Sequence, residues 1–226
     1  MSGNPITHFK IVAETRDEIV KEWIIILASL TNVHRVKFPG CYIDDKMLCA
    51  LAATLETFQN LWQLELGGNK FKNVTCLAGL SNVKDLHLAN NIIDTVKPLA
   101  TLLKLTDLQL SGNRLTNVSL NTFVNLKYLH LDDNSIRTIE GLDALVQLEW
   151  LLFKNNQISE INMNFAPLVR LQKLDLSMNK ISNVTSLRTL PNLPELKLRV
   201  ILTGNPIHQA HILSLREELM NVIIDF

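Results

Sequence analysis

Few side chains in this 226-residue chain could do chemistry. His208 and His211 stand three apart, on what reads as one helix face, and would make half of a metal site. No carboxylate or cysteine lies at ligand spacing beside them, so a surface role is expected. Asp85, His87, Asp107 and His130 form a mixed-charge set able to perturb a histidine's titration, with no nucleophile beside it. There is no phosphate-binding loop, no G-x-S-x-G, no H-E-x-x-H and no G-x-G-x-x-G after a strand, and GGNK at 67–70 reads only as a loop. Cys41, Cys49 and Cys76 are odd in number and widely spaced, without a C-x-x-C, and read as buried or half-buried thiols in a reducing compartment. The sequence therefore predicts no enzyme, no cofactor and no metal site.

The composition points to a folded chain with a regular aliphatic core. Apolar residues make up 47% and charged residues 19%, whereas disordered chains are poor in aliphatics and rich in net charge. Residues 1–113 carry eleven charges of each sign and residues 114–226 again eleven of each. No long-range pull on nucleic acid or on an acidic membrane is expected from such a balance. The start, MSGNPITHFK, has no apolar signal region, and the longest apolar run, WIIILA at 23–28, is too short to span a bilayer. A cytoplasmic chain, with the nucleus as an alternative and secretion excluded, is the expectation.

What positions these residues is a repeat. The pattern L-x-x-L-x-L-x-x-N-x-[L/I/F] runs through Leu61, Leu64, Leu66, Asn69 and Phe71, and recurs with Asn91, Asn113, Asn134, Asn156 and Asn179. The asparagines are spaced by 22, 22, 21, 22 and 23 residues. Alternation in L-x-L puts two leucines on one face of a short strand and the residues around them on the other. One unit cannot bury its leucines alone, but stacked units pair in parallel and join those faces into one core. The asparagine falls where the strand turns away, and its amide can satisfy backbone groups of adjacent turns. Its recurrence is structural. The repeat also generates the N-x-[S/T] sequons at Asn73, Asn117 and Asn183, which are read as coincidental without a secretory signal.

These residues resemble the leucine-rich repeat family. The second half of each unit, N-x-I-x-x-[I/V]-x-x-L-x-x-L as in Asn134, Ile136, Ile139, Leu142 and Leu145, is similar to the 22-residue subclass typified by the protein phosphatase 1 regulatory subunit. The resemblance implies a right-handed α/β solenoid with a parallel sheet on its concave face, short helical or extended segments on its convex face and helical caps at both ends. Phe123 and Phe165 stand where Leu is usual in the units of uneven length, which predicts a small bulge on the convex side.

The ends differ from the middle. Val33, Val36, Phe38, Cys41 and Ile43 fit the template with Cys for Asn, and the next unit starts 28 residues later. The extra length holds Met47, Leu51, Leu55 and Phe58 at helical spacing behind an Asp44/Asp45 cap, similar to a ribonuclease-inhibitor repeat. Before it, Thr15 and Glu18 form a capping box for a helix whose stripe is Ile19, Val20, Trp23, Leu27 and Leu30. At the far end two registers fit equally: Leu193, Leu196 and Leu198, or Val200, Leu202, Asn205 and Ile207. A helix and a short apolar strand should follow, resembling the terminal cap of intracellular members but shorter and without its Tyr. The expected organisation is a cap over 1–32, about eight repeats over 33–207 and a cap over 208–226, all one solenoid domain.

The concave face is where the repeat leaves residues free. One column reads Arg35, Gln63, Asp85, Asp107, Tyr128, Trp150, Lys173 and Glu195; the other reads Lys37, Glu65, His87, Gln109, His130, Leu152, Asp175 and Lys197. His87 and His130, two strands apart, are separated by roughly 10 Å and cannot chelate one ion. The columns are polar except for Tyr128, His130, Trp150 and Leu152, flanked by Asp132, Asp133, Lys154, Asp107 and Glu149. Large rings of low rotamer entropy dominate binding hot spots, so this block is the candidate protein-binding site; Trp62 is a weaker second. The alternative is that Tyr128 and Trp150 form a cross-strand pair that stiffens the sheet.

The chain therefore reads as a monomeric, non-enzymatic interaction scaffold that takes a protein partner on its concave face. The resemblance implies a phosphatase catalytic subunit, or a ciliary or cytoskeletal protein, as partner. The alternatives are a phosphatase regulatory subunit and a structural module of a larger assembly, the latter disfavoured by convex loops made mostly of Asn, Ser, Thr and Lys.

Overall fold

The computed structural model describes residues 7–10, 17–30, 32–118, 120–195 and 197–226. The Thr15 capping box and the side chains of Ile19, Val20 and Leu196 lie outside what is described. Each L-x-L unit contributes a strand of three residues, with the central residue in the core and its neighbours on the opposite face. After β1 (His8–Lys10) these are β2 (Arg35–Lys37), β3 (Gln63–Glu65), β4 (Asp85–His87), β5 (Asp107–Gln109), β6 (Tyr128–His130), β8 (Trp150–Leu152) and β10 (Lys173–Asp175). With β11 (Arg199–Ile201) and β12 (Ile223–Asp225) they make one ten-stranded parallel sheet in sequence order. The register keeps the leucines in line: Leu64 opposite Leu86, then Leu108, Leu129, Leu151, Leu174 and Val200. A single apolar cluster runs from Trp23 to Ile224.

The back of the sheet is closed by short segments. α2 (Asp45–Leu55) lies behind the first repeat, with Asp44 Oδ1 accepting from the Met47 amide at 2.8 Å as its cap. Single 3-10 turns at Thr75–Gly79, Lys97–Thr101 and Thr185–Thr189 bury Leu77, Leu99 and Leu187. In the units around Phe123 and Phe165 the rings are buried, and part of the back is built by a two-stranded ladder of β7 (Thr138–Ile139) and β9 (Glu160–Ile161). At the start, α1 (Asp17–Ala28) buries Trp23 and Leu27, and Trp23 stacks on Phe38 with ring centroids 5.6 Å apart. The strand β1 beside it was not legible in HFK, three residues with no alternation to mark them. At the other end His208 caps α3 (Gln209–Glu218), its ring nitrogen accepting from the Ala210 amide at 3.2 Å.

The asparagines do the work that the sequence assigns to them. Asn156 is buried; its Nδ2 donates to Phe153 O at 3.0 Å in its own repeat and to Leu131 O at 2.9 Å in the one before. Its Oδ1 accepts from the Ile136 amide at 3.0 Å. The same three bonds recur at Asn69, Asn113, Asn134 and Asn179. Asn91 departs: its Nδ2 makes both bonds, but its buried Oδ1 accepts none among the described residues. The ladder also decides the last register. Asn205 bonds Leu176 O, Leu202 O and the Ile181 amide, which sets Val200 and Leu202 inward and removes Glu195 and Lys197 from the face in favour of Arg199 and Ile201.

A second periodic feature escaped the sequence reading. The residue before each ladder position has positive φ: Gly40, Gly68, Asn90, Gly112, Asp133, Asn155, Met178 and Gly204, all between 55° and 75°. Glycine, asparagine and aspartate tolerate this left-handed conformation, so their alternation at one position is a conformational requirement. Met178 holds it against a steric penalty.

One cysteine expectation is corrected. Cys49 on α2 and Cys76 in the following 3-10 turn are joined as a disulfide, with Cα atoms 5.1 Å apart. Spacing in sequence hid this because the pair is 27 residues apart and meets only when two repeats stack. Cys41 is buried at the ladder position, its Sγ 3.5 Å from Pro39 O.

Two outcomes are expected. Asn156→Ala strands a buried amide and two carbonyls, at roughly 1–3 kcal/mol for each group left unpaired, whereas Asn91→Ala strands no such amide; chemical denaturation should rank Asn156→Ala as clearly the more damaging. Thiol titration of the unfolded chain should find two fewer thiols without reductant than with it, and Cys49→Ser should lower stability by about 2–4 kcal/mol.

Candidate protein-binding face

The side chains beside each core leucine project from the open face of the sheet, and the parallel register turns them into rows. Along one row stand Asp85, Asp107, Tyr128, Trp150 and Lys173; along the next, His87, Gln109, His130, Leu152 and Asp175. The predicted block is thus assembled on neighbouring strands. The Tyr128 and Trp150 rings meet edge to face with centroids 5.7 Å apart, and His130 lies 6.5 Å from Trp150. Lys173 Nζ sits 5.7 Å from the Trp150 ring centre, within cation–π range. The Tyr128 hydroxyl donates to Glu149 Oε2 at 3.0 Å, and this bond, together with burial and nearby negative charge, raises its pKa.

Individual members differ from expectation. Trp150 is 40% exposed, yet Leu152 is only 8% exposed: it stands on the open face with His130 and Asp175 as its register partners, but is largely covered there. Asp132 is committed to the turn, its Oδ1 accepting from the Lys154 amide at 2.8 Å, while Lys154 itself is exposed. Desolvation raises the Asp132 pKa and lowers that of His130, which favours neutral imidazole. Trp62 is already engaged, with the Arg35 guanidinium 4.4 Å above its ring.

At the acidic end His87 lies between carboxylates: Nδ1 is 3.7 Å from Glu65 Oε1, and Nε2 is 3.8 Å from Asp107 Oδ2, too long for a hydrogen bond. Glu65 is ion-paired with Lys37. Asp85 and Asp107 are direct cross-strand partners, and Thr106 Oγ1 lies 3.3 Å from Asp85 Oδ1. Burial first, and the Asp107 charge second, push the Asp85 carboxyl above its ordinary range. Among the described residues no group of three His, Cys, Asp or Glu is placed to hold a metal ion.

Residues 103–158 match the leucine-rich repeat family. The fold is a leucine-rich repeat solenoid. No curated protein matches the chain at a significant level. Among solved structures it is similar to an internalin, inlF, of Listeria monocytogenes, at 26% identity and a TM-score of 0.71, covering 88% of this chain and 56% of that one. It is also similar to internalin C2 of the same bacterium, at 28% identity and a TM-score of 0.68 over 89% of this chain and 82% of that one. A chain of the Toll–Spätzle complex of Drosophila aligns at 25% identity and a TM-score of 0.62, covering 79% of this chain and 25% of that one. The chain thus spans little more than half the length of the first of these. Leucine-rich repeat modules generally bind proteins, and among the described residues no helix is long and apolar enough to cross a membrane.

Two measurements separate surface from core. Trp150→Ala removes an exposed ring and one edge contact and should cost about 0.5–1.5 kcal/mol, while Leu151→Ala on the same strand should cost about 2–5 kcal/mol. A tryptophan cost equal to the leucine cost would favour the stiffening role. Because the folded state holds the Asp85 proton more tightly than the unfolded chain, its ionisation opposes folding as pH rises past the ordinary carboxylate range. Asp85→Asn should therefore raise the melting temperature at neutral pH, and the gain should vanish in acid, where the aspartate is protonated in both states.

Proposed function

We propose that this leucine-rich repeat module is a non-enzymatic protein-binding scaffold that captures its partner on the open sheet face around Trp150 and Tyr128. The observation that carries the reading is the edge-to-face ring pair, with Trp150 exposed and Tyr128 half-buried, standing among the mostly polar side chains of the sheet face. Such a pair buries much area on contact and loses little rotamer freedom. His87, Asp107, His130 and Lys154 surround it, Asp132 holds the adjoining turn, and Leu152 lies largely covered on the same face. The Cys49–Cys76 bond supports residence in an oxidising compartment, against the cytoplasmic expectation. That chemistry, together with internalin-like relatives, leaves the phosphatase and ciliary partners without a supporting observation.

Affinity capture with the wild-type chain and with a Tyr128→Ala/Trp150→Ala variant of unchanged fold tests the reading. A partner held by the wild type and lost by the variant is the expected result. Equal capture by both would move the site away from this face.

A further inference from the structure

Two carboxylates beside the ring pair, Asp85 and Asp107, have no lysine or arginine ion partner among the described residues. Asp85 and Asp107 face each other directly across β4 and β5, and like charges in that position destabilise a sheet. Among the described residues neither is ion-paired to a lysine or arginine: His87 Nε2 lies 3.8 Å from Asp107 Oδ2, and the charges of His87 and Arg35 act on Asp85 without forming an ion pair, whereas Glu65 is paired directly with Lys37. Thr106 gives Asp85 one weak contact, and Asp107 Oδ1 accepts no hydrogen bond among the described residues. Between these carboxylates and the exposed tryptophan stands Tyr128, whose register partners are Asp107 on one side and Trp150 on the other. An aromatic surface thus runs directly into a carboxylate pair that no lysine or arginine among the described residues bridges.

We infer that the partner presents an arginine or lysine that lies across the Asp85–Asp107 pair while an adjoining apolar part of the same segment packs on Tyr128 and Trp150. This rests on the concave-face reading above and names the chemistry of its partner. A cation there removes the carboxylate repulsion and fits planar, bidentate geometry if it is a guanidinium. It also stands beside the Tyr128 ring, the register partner of Asp107, and aromatic faces attract cations. Burial first, and the Asp107 charge second, raise the proton affinity of Asp85 in the free chain. Phosphate-rich polymers are repelled by this pair, so the occupant is a protein segment with positive charge.

The test is a random-peptide display selection against the wild-type chain, with binders counter-selected on the Tyr128→Ala/Trp150→Ala variant so that only peptides using the ring pair remain. These peptides should share a lysine or arginine, weaken as salt rises, and lose about tenfold or more in affinity at Asp85→Asn/Asp107→Asn. The asparagine variant removes a destabilising repulsion, so a folding failure does not confound it. Asp107→Lys should reject the selected peptides and accept versions with glutamate at the basic position. Ring-dependent peptides that are neutral or acidic, or indifferent to the asparagine variant, overturn the cation assignment while leaving the concave face as the site. If no ring-dependent peptide emerges, the concave-face reading falls and the cation assignment falls with it.

Discussion

The sheet strands from β2 to β11 are each followed by a turn that runs into the protein, and the backbone groups of that turn have no water to bond. Unpaired buried N–H and C=O groups cost too much to leave in each of eight successive turns. The asparagine amide, a donor of two hydrogen bonds and an acceptor of others, settles this at one position per repeat. Its three bonds fix the strand end, the neighbouring turn and the spacing between repeats together. The leucines supply the driving force for burial, but they are interchangeable with Val200 or Phe153; the amide recurs in every repeat from Asn69 to Asn205, with Cys41 in its place only in the first, and it sets the register of the stack.

This explains how much of the fold the sequence disclosed. Leucines and asparagines are periodic, and a period reports its geometry directly, so the sheet order, the inward residues and the role of the amide were all readable. The last repeat was ambiguous by the leucines alone, since Leu193, Leu196 and Leu198 satisfy spacing as well as Val200 and Leu202. Only the bonds of Asn205 to Leu176 and Ile181 distinguish them. Features without a period stayed hidden: β1, three residues long, and the Cys49–Cys76 bond, which depends on how two repeats stack. The left-handed position was periodic but disguised, because glycine, asparagine and aspartate share a conformation rather than a side chain.

The candidate face was legible in outline and not in detail. Columns of residues between leucines gave the rows correctly from Arg35 to Lys173, and with them the Tyr128–Trp150 contact. They could not tell that Leu152 is covered, that Asp132 is spent on the Lys154 amide, or that Arg35 lies over Trp62. Column reading treats every outward residue as equally exposed, whereas local packing between adjacent strands decides which side chain stands proud. The opposition of Asp85 and Asp107 was visible as two letters in one column; its meaning required knowing that among the described residues no lysine or arginine pairs with either.

The asparagine bonds also give the array a direction. Each amide that crosses between repeats reaches toward the N-terminus, as Asn156 does to Leu131 and Ile136 and Asn205 to Leu176 and Ile181. A chain synthesised from its N-terminus therefore presents every new asparagine to a template that is already complete. Assembly can follow synthesis one turn at a time, as a crystal grows from a seeded edge, with α1 and the first repeat as the seed.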